Sequence, residues 1–230
     1  MRTIECQQGS PEWHAARCGF VTSSRIADLM SKVKSGESAG RRNYRAQIVS
    51  EILTGQPCEN GFVSADMTRG TENEPLARAA YEVRTGEFLD TVGFVLHPTL
   101  DRCGASPDGL VGTDGLVEIK CPKTATHLDY LLGGTVPSEY QLEMLWAMEC
   151  AERGWCDFVS FDPRLPEHLQ LFVKRLVRDD ERITAITAEV IKFWKEVEDI
   201  LVRLPQGDDL VPILEASVKH VKETRGIATV

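Results

Sequence analysis

The chain has 230 residues, 42% of them hydrophobic and 27% charged, with a formal net charge of -9. Such a length buries a substantial core within one domain spanning 1–230, and the composition excludes extensive disorder. No apolar run approaches the roughly 20 residues that span a bilayer, and MRTIECQQGSPEW lacks the apolar heart of a secretion signal, so a cytoplasmic protein is expected.

The first part reads as helical. PEWHAAR is followed by TSSRIADLM, which opens on three hydroxyl residues, and then by a helix over 41–54 closed by Gly55. Between the last two lies a basic loop, SKVKSGESAGRR. A helix over 72–84 stops at Gly86. Short strands over 91–97, 102–106 and 116–121, separated by Gly, Pro or Asp, have the look of a meander. An apolar helix over 139–150, strands over 155–161 and 169–177, and a long helix over 179–203 follow. The last carries Ile183, Ile186, Val190, Phe193, Val197 and Leu201 at helical spacing and is expected to cover a sheet. Helices before and after a run of strands predict an α/β or α+β layered fold. Beyond Pro205 the pattern weakens, with a short helix expected at 211–222.

The seven cysteines are odd in number and form no CxxC pair, and the five histidines are scattered without HExxH. A zinc site is therefore not expected, and any metal should be bound by oxygen. The acidic total argues against a nucleic-acid partner, but the distribution does not. Residues 1–50 carry eight Lys and Arg against four Asp and Glu, which places any basic face near the N-terminus.

The segment SPDGLVGTDGLVEIKCP carries chemistry. Asp108 lies where one strand ends, Gly112, Asp114 and Gly115 supply a turn, and Glu118 and Lys120 lie two apart on the next strand. Side chains two apart share a face, so Glu118 and Lys120 point together toward Asp108 while Val117 and Ile119 point away. Two converging carboxylates, with the Ile119 carbonyl as a further donor, suit Mg²⁺, which retains waters and accepts phosphate oxygens. The lysine could orient an attacking water and offset charge on a phosphorane-like transition state. A solvent-exposed hairpin is the plain alternative. An EF-hand is excluded, because Leu110 stands at loop position three.

The Asp–Glu-x-Lys pattern, with its Pro-Asp, resembles the PD-(D/E)xK nuclease superfamily. The flanking SPDGL and EIKCP are narrower and resemble the phage lambda exonuclease and YqaJ-like viral recombinase family. The likeness continues in order from about Trp13 to about Leu204, leaving 205–230 as an extension of open role. It implies a restriction-endonuclease-like core with a central mixed sheet flanked by helices.

WHAARCGFVTSSRIADLM resembles the family's W-x-x-x-R-x-G-x-(I/V)-T-(A/G)-S word. By that resemblance Arg17, Thr22 and Ser24 hold the 5′-terminal phosphate of DNA; a helix N-terminus and a bidentate guanidinium suit an anion, although Thr22 and Ser24 also suit ordinary N-capping. TRGTENEPLARAAYE resembles the family's G-x-x-x-E helix, making Glu74 the acid that reaches the metal through a water or holds a second ion. Thr71 to Glu74 also read as a capping box. EYQLEMLWAME resembles the glutamine-bearing helix, placing Gln141 near the centre, with Glu143 at the family's second glutamine position. Lys34, Arg41 and Arg42 fall where DNA contacts would lie, and Met67 where an apolar wedge would part the last base pairs; a solvated loop and a core methionine are the alternatives.

The resemblance implies a Mg²⁺-dependent 5′→3′ exonuclease, with Mn²⁺ as a substitute and two ions per site, acting on duplex DNA ends and leaving 3′ overhangs. It also implies a homotrimeric ring, a single-strand annealing protein as partner, and a phage or prophage origin within a bacterial host. The rivals are a structure-specific endonuclease or junction resolvase on the same core, and a non-catalytic DNA-end-binding subunit.

Overall fold

The computed structural model describes residues 1–58 and 65–205, and of 65–67 only the backbone. Strand β1 (Arg2–Ile4) leads into α1 (Pro11–Arg17), where Ser10 accepts the Trp13 N–H at 3.2 Å and proline opens the helix. The single helix expected from Thr22 is broken up. Val21–Thr22 form strand β2, Ser23–Arg25 a 3₁₀ turn, and only Ile26–Met30 helix α2. Helix α3 (Ala39–Thr54) starts at Ser38, whose hydroxyl accepts the Arg41 N–H at 3.2 Å, and ends on Gly55 in the left-handed conformation.

Helix α4 (Ala65–Thr85) begins well before the expected start and takes Pro75 into its interior. The capping-box reading of Thr71 to Glu74 is therefore corrected: these residues lie within a helix, not at its head. Seven further strands and three helices follow among the described residues: β3 (Leu89–Asp90), β4 (Phe94–Leu96), β5 (Cys103–Ala105), β6 (Gly109–Val111), β7 (Gly115–Lys120), α5 (Thr124–Gly133), α6 (Ser138–Ala151), β8 (Trp155–Phe161), β9 (Leu171–Val177) and α7 (Asp180–Arg203). Short β1, β2, β3 and β6, and helix α5, carried no sequence expectation.

The expected meander is divided between two sheets. One has the order β1-β4-β5-β2 and the other β3-β6-β7-β8-β9, each mixing parallel and antiparallel pairs. The chain leaves the first sheet at Ala105 and enters the second at Gly109, so Ser106, Pro107 and Asp108 form the crossing.

Two apolar clusters hold these layers. The smaller joins Ala77 and Tyr81 of α4 to Val117, Ile119, Val159 and Phe161 of the second sheet. The larger gathers α2, α3, α6 and α7 with Leu116, Cys156 and Phe158. The periodic residues of α7 are all buried, but α7 packs on helices α2, α3 and α6 instead of covering a sheet as expected. Tyr44 of α3 stacks on Phe193 of α7 at 5.4 Å between ring centroids. Gly115 opens β7 directly opposite Trp155, and a Cβ there would run into the indole ring. Glycine is thus what lets β7 lie close against β8 along its whole length.

Candidate active site

The crossing between the sheets is pinned residue by residue. Trp13 donates its indole N–H to the Ser106 hydroxyl at 2.9 Å, and Gln8 donates its amide to the Pro107 carbonyl at 2.9 Å. Arg78 of α4 donates to the Asp108 carbonyl. The Asp108 side chain accepts the Ile119 N–H at 2.6 Å on Oδ2. Strand β6 begins only at Gly109, opposite Val117, and its pairing with β7 extends no further toward Lys120. The N–H two residues on, at Ile119, points to the same side and has no strand residue to meet, so the carboxylate takes the place of one.

On β7 the side chains alternate. Val117 and Ile119 enter the cluster beneath α4, while Glu118 and Lys120 turn toward α6. Lys120 Nζ donates to Glu118 Oε1 at 2.5 Å and lies 3.6 Å from Glu143 Oε2 and 5.0 Å from the centre of the Tyr140 ring. Tyr140 and Glu143 are three apart on α6 and share a face. Tyr140 is itself fixed by stacking on Phe158 at 5.2 Å.

The electrostatics follow from crowding acids out of water. Burial, then the neighbouring Glu118, push the Asp108 carboxyl well above its ordinary range, and Lys120 and the Ile119 N–H only partly offset this. Burial and Glu118 likewise push Glu143 up to about 7. Glu74 is raised, chiefly by burial, with Arg78 pulling the other way and Glu118 adding to the rise. Burial acts to lower Lys120, but Glu118, Glu143 and Asp108 together outweigh it and hold the ammonium well above its usual value.

Asp108, Glu118, Lys120 and Glu74 thus act on one another. No group of three His, Cys, Asp or Glu side chains poised to hold a metal ion occurs among the described residues. A closed protein cage is therefore not offered; an open site is. Asp108 and Glu118 supply hard oxygen donors, and the strain of their like charges is what a divalent cation relieves.

Arg17, Thr22 and Ser24 also come together. The Arg17 guanidinium lies 3.8 Å from the centre of the Trp13 ring and donates to the Ser24 hydroxyl at 3.2 Å; the Thr22 and Ser24 hydroxyls are 3.4 Å apart. With α2 only five residues long, the expected contribution of a helix N-terminus is corrected, and the polar side chains carry this pocket. Burial lowers Arg17 to about 10, with Tyr44, Glu143 and Glu51 acting to raise it. Among the described residues no carboxylate stands within ion-pair distance of this guanidinium.

Other expected residues are placed elsewhere. Gln141 donates to the Val136 carbonyl at 2.9 Å and accepts from Arg182 at 3.0 Å, so its amide is engaged away from Lys120. Arg41 is corrected as a DNA contact: it is 9% exposed, donates to the Leu29 carbonyl at 2.6 Å, and pairs with Glu196 at 2.9 Å and Glu189 at 3.4 Å. Lys34 and Arg42 are exposed. The Met67 side chain and the helix expected at 211–222 lie outside the described residues. Glu143, Tyr140 and Arg78 were not expected at the site. Glu143 was legible only as a departure from glutamine, and its spacing from Tyr140 is the signal that both face one partner.

The model of the YqaJ-like viral recombinase domain matches residues 12–154, which include both groups of residues. The fold is similar to that of an alkaline exonuclease, LHK-Exo, from Laribacter hongkongensis, with a TM-score of 0.76 and 42% identity over 96% of this chain and 100% of that one. A structure of LHK-Exo in complex with dAMP aligns at a TM-score of 0.77 and 43% identity, with the same coverage. A phage-related exonuclease from Haemophilus somnus 129PT shares the fold at a TM-score of 0.63 and 15% identity, over 81% of this chain and 96% of that one. Among curated proteins none matches the chain. With the fold, the domain match and a relative alike along its whole length in agreement, the chain belongs to the YqaJ-like viral recombinase domain family and is a nuclease.

Proposed function

We propose that the chain is a divalent-metal-dependent 5′→3′ exonuclease. It degrades one strand of duplex DNA from a 5′-phosphorylated end to 5′-mononucleotides, leaving 3′ overhangs for recombination by single-strand annealing. One observation carries this reading: a guanidinium suited to phosphate and the lysine of the carboxylate cluster share an acidic neighbour. Glu143, 3.6 Å from Lys120, also acts electrostatically on Arg17. A terminal phosphate held by Arg17, Ser24 and Thr22 would bring the first phosphodiester toward Lys120 and fix which strand is cut. LHK-Exo binds dAMP, a 5′-mononucleotide, which supports the product assignment.

The donor set favours Mg²⁺, with Mn²⁺ as a substitute. Asp108, Glu118 and the Ile119 carbonyl would hold one ion, and Glu74 would serve a metal-bound water or a second ion. When bound, such ions polarise the phosphoryl oxygen and offset the charge building on it. The neighbouring carboxylates hold Lys120 as an ammonium, so it orients the attacking water as a donor and stabilises developing negative charge. Arg78, at the Asp108 carbonyl, and the Ile119 N–H, at Asp108 Oδ2, keep that carboxylate fixed. Lys34 and Arg42, both exposed, are the remaining candidates for contact with the duplex. The chain works as one nuclease domain, a homotrimeric ring around DNA in the cytoplasm of a bacterial host, with an annealing protein as partner. Among the described residues no helix is long and apolar enough to cross a membrane.

End-labelled duplex should be shortened from its 5′ end to mononucleotides with Mg²⁺ and left intact with chelator. Lys120→Ala should lower kcat by about 10²–10⁴-fold; efficient cutting of a closed circle, or full activity of Lys120→Ala, would defeat the proposal. Duplexes with 5′-phosphate should be digested more processively than those with 5′-hydroxyl, and Arg17→Ala should erase the difference. Equal processivity on both ends in the wild type would remove the pocket. Mass in solution should be that of three chains, and a monomer at micromolar concentration excludes the ring.

Acidity gives a further expectation. A carboxyl that titrates at about 7 when folded and at its ordinary 4.5 when unfolded makes the folded state bind more protons between those values, so stability falls as pH rises through that window. In chelator, Tm should decline between pH 4.5 and 7, and Glu143→Gln should flatten the decline. Identical slopes for the two proteins would show that Glu143 titrates normally.

A further inference from the structure

Lys120 lies between two acids of different standing. Glu118, on its own strand, accepts its hydrogen bond at 2.5 Å, while Glu143, on α6, stands at 3.6 Å, beyond a hydrogen bond but within an ion pair. Glu118 is the acid expected to bind the cation, and a cation there repels the ammonium that Glu118 now holds. The displaced ammonium needs another anion close by. Glu143 is that anion, with Tyr140 presenting its ring face one turn earlier on the same side of α6. Both are held firmly, because α6 is buried along Met144 to Met148 and Tyr140 stacks on Phe158.

Charge count points the same way. Asp108, Glu118 and Glu143 with Lys120 carry two net negative charges when all are ionised, which one divalent ion neutralises. With glutamine at 143 the same ion would leave the group positive and would compete with Lys120 for Glu118 alone.

We propose that Glu143 is a positioning residue, a second anchor to which the Lys120 ammonium passes when Glu118 binds a divalent cation. Its role is exerted through Lys120 and not by contact with the ion or the DNA. The same reasoning accounts for an acid at a position where the family pattern has glutamine: in this chain the anchor is charged.

The inference rests on the reading of Lys120 as the group that acts at the reacting phosphate, and its test separates the two. Full-length wild type, Glu143→Gln, Glu143→Asp, Lys120→Ala and the double variant Glu143→Gln/Lys120→Ala are titrated with Ca²⁺ by calorimetry, and the proteins that retain Lys120 are assayed on 5′-phosphorylated duplex with Mg²⁺. Glu143→Gln should lower kcat and weaken Ca²⁺ binding by about 10- to 100-fold, as loss of a supporting partner does, with KM for DNA little changed. Glu143→Asp should recover part of both losses. In the Lys120→Ala background Glu143→Gln should leave Ca²⁺ affinity where it was, because the competing ammonium is gone. Wild-type kcat and Ca²⁺ affinity in Glu143→Gln would overturn the inference, as would an equal loss of affinity in both backgrounds. A wild type inert on DNA would instead defeat the nuclease role of Lys120, whereas an active wild type beside an unaffected Glu143→Gln defeats only the anchor.

Discussion

Repulsion among carboxylates around one ammonium governs this molecule. Like unit charges about 4 Å apart cost about 4 kcal/mol at the effective dielectric of a protein surface, and more where water is excluded. Glu118 acts on Asp108, Glu143 and Glu74, and all of these acids lie around Lys120. The fold holds them there against that cost because strands and helices fixed by two apolar clusters leave them no freedom to separate. The result is a site short of positive charge, and a divalent cation is what such a shortage favours.

Holding the acids requires a rigid crossing between sheets, and the crossing is held by four hydrogen bonds from three directions. The N-terminal segment reaches it through Gln8 and Trp13, α4 through Arg78, and β7 through the Ile119 N–H. Trp13 does double duty, since its ring also carries the Arg17 guanidinium. The crossing that carries Asp108 and the group of Arg17, Thr22 and Ser24 are thus built on one indole. This coupling gives a physical reason for finding the tryptophan word and the SPDG word in one chain: displacement of either side of Trp13 is felt by the other.

How much of this was legible depended on length and on context. Helix α7 was readable because its six apolar residues repeat over a long span, and β7, β8 and β9 because they are long and rich in β-branched and aromatic residues. Strands β2 and β3, of two residues each, and β6, of three, present no period and exist only because neighbours offer them hydrogen bonds. Proline at 75 and the hydroxyl-acid pattern before it imitate a helix start, yet the helix continues back to Ala65. The sheet boundary at Ser106 to Asp108 could not be read either, because local sequence marks a break without saying which partner comes next. The triad of Asp108, Glu118 and Lys120 was legible because strand alternation alone brings the last two together. Glu143 was not, since its meeting with Lys120 depends on how α6 crosses the sheet.

The same dependence on context resolves the acidic net charge. Part of the basic surplus of the first fifty residues is consumed inside the fold: Arg41 and Arg45 answer Glu37, Glu189 and Glu196, and Arg25 answers Asp28. Lys34 and Arg42 stay exposed, and Arg17 has no carboxylate within ion-pair distance among the described residues. Arg17 is desolvated enough to lower its pKa, stacked on Trp13, and matched only by hydroxyls. A guanidinium in that condition gains more from a phosphate than a solvated lysine does, because its desolvation has already been met by folding and its planar fork suits two oxygens at once. Such a group, beside an acid cluster that favours cations, shows how a chain of negative net charge can still present a local site for an anion.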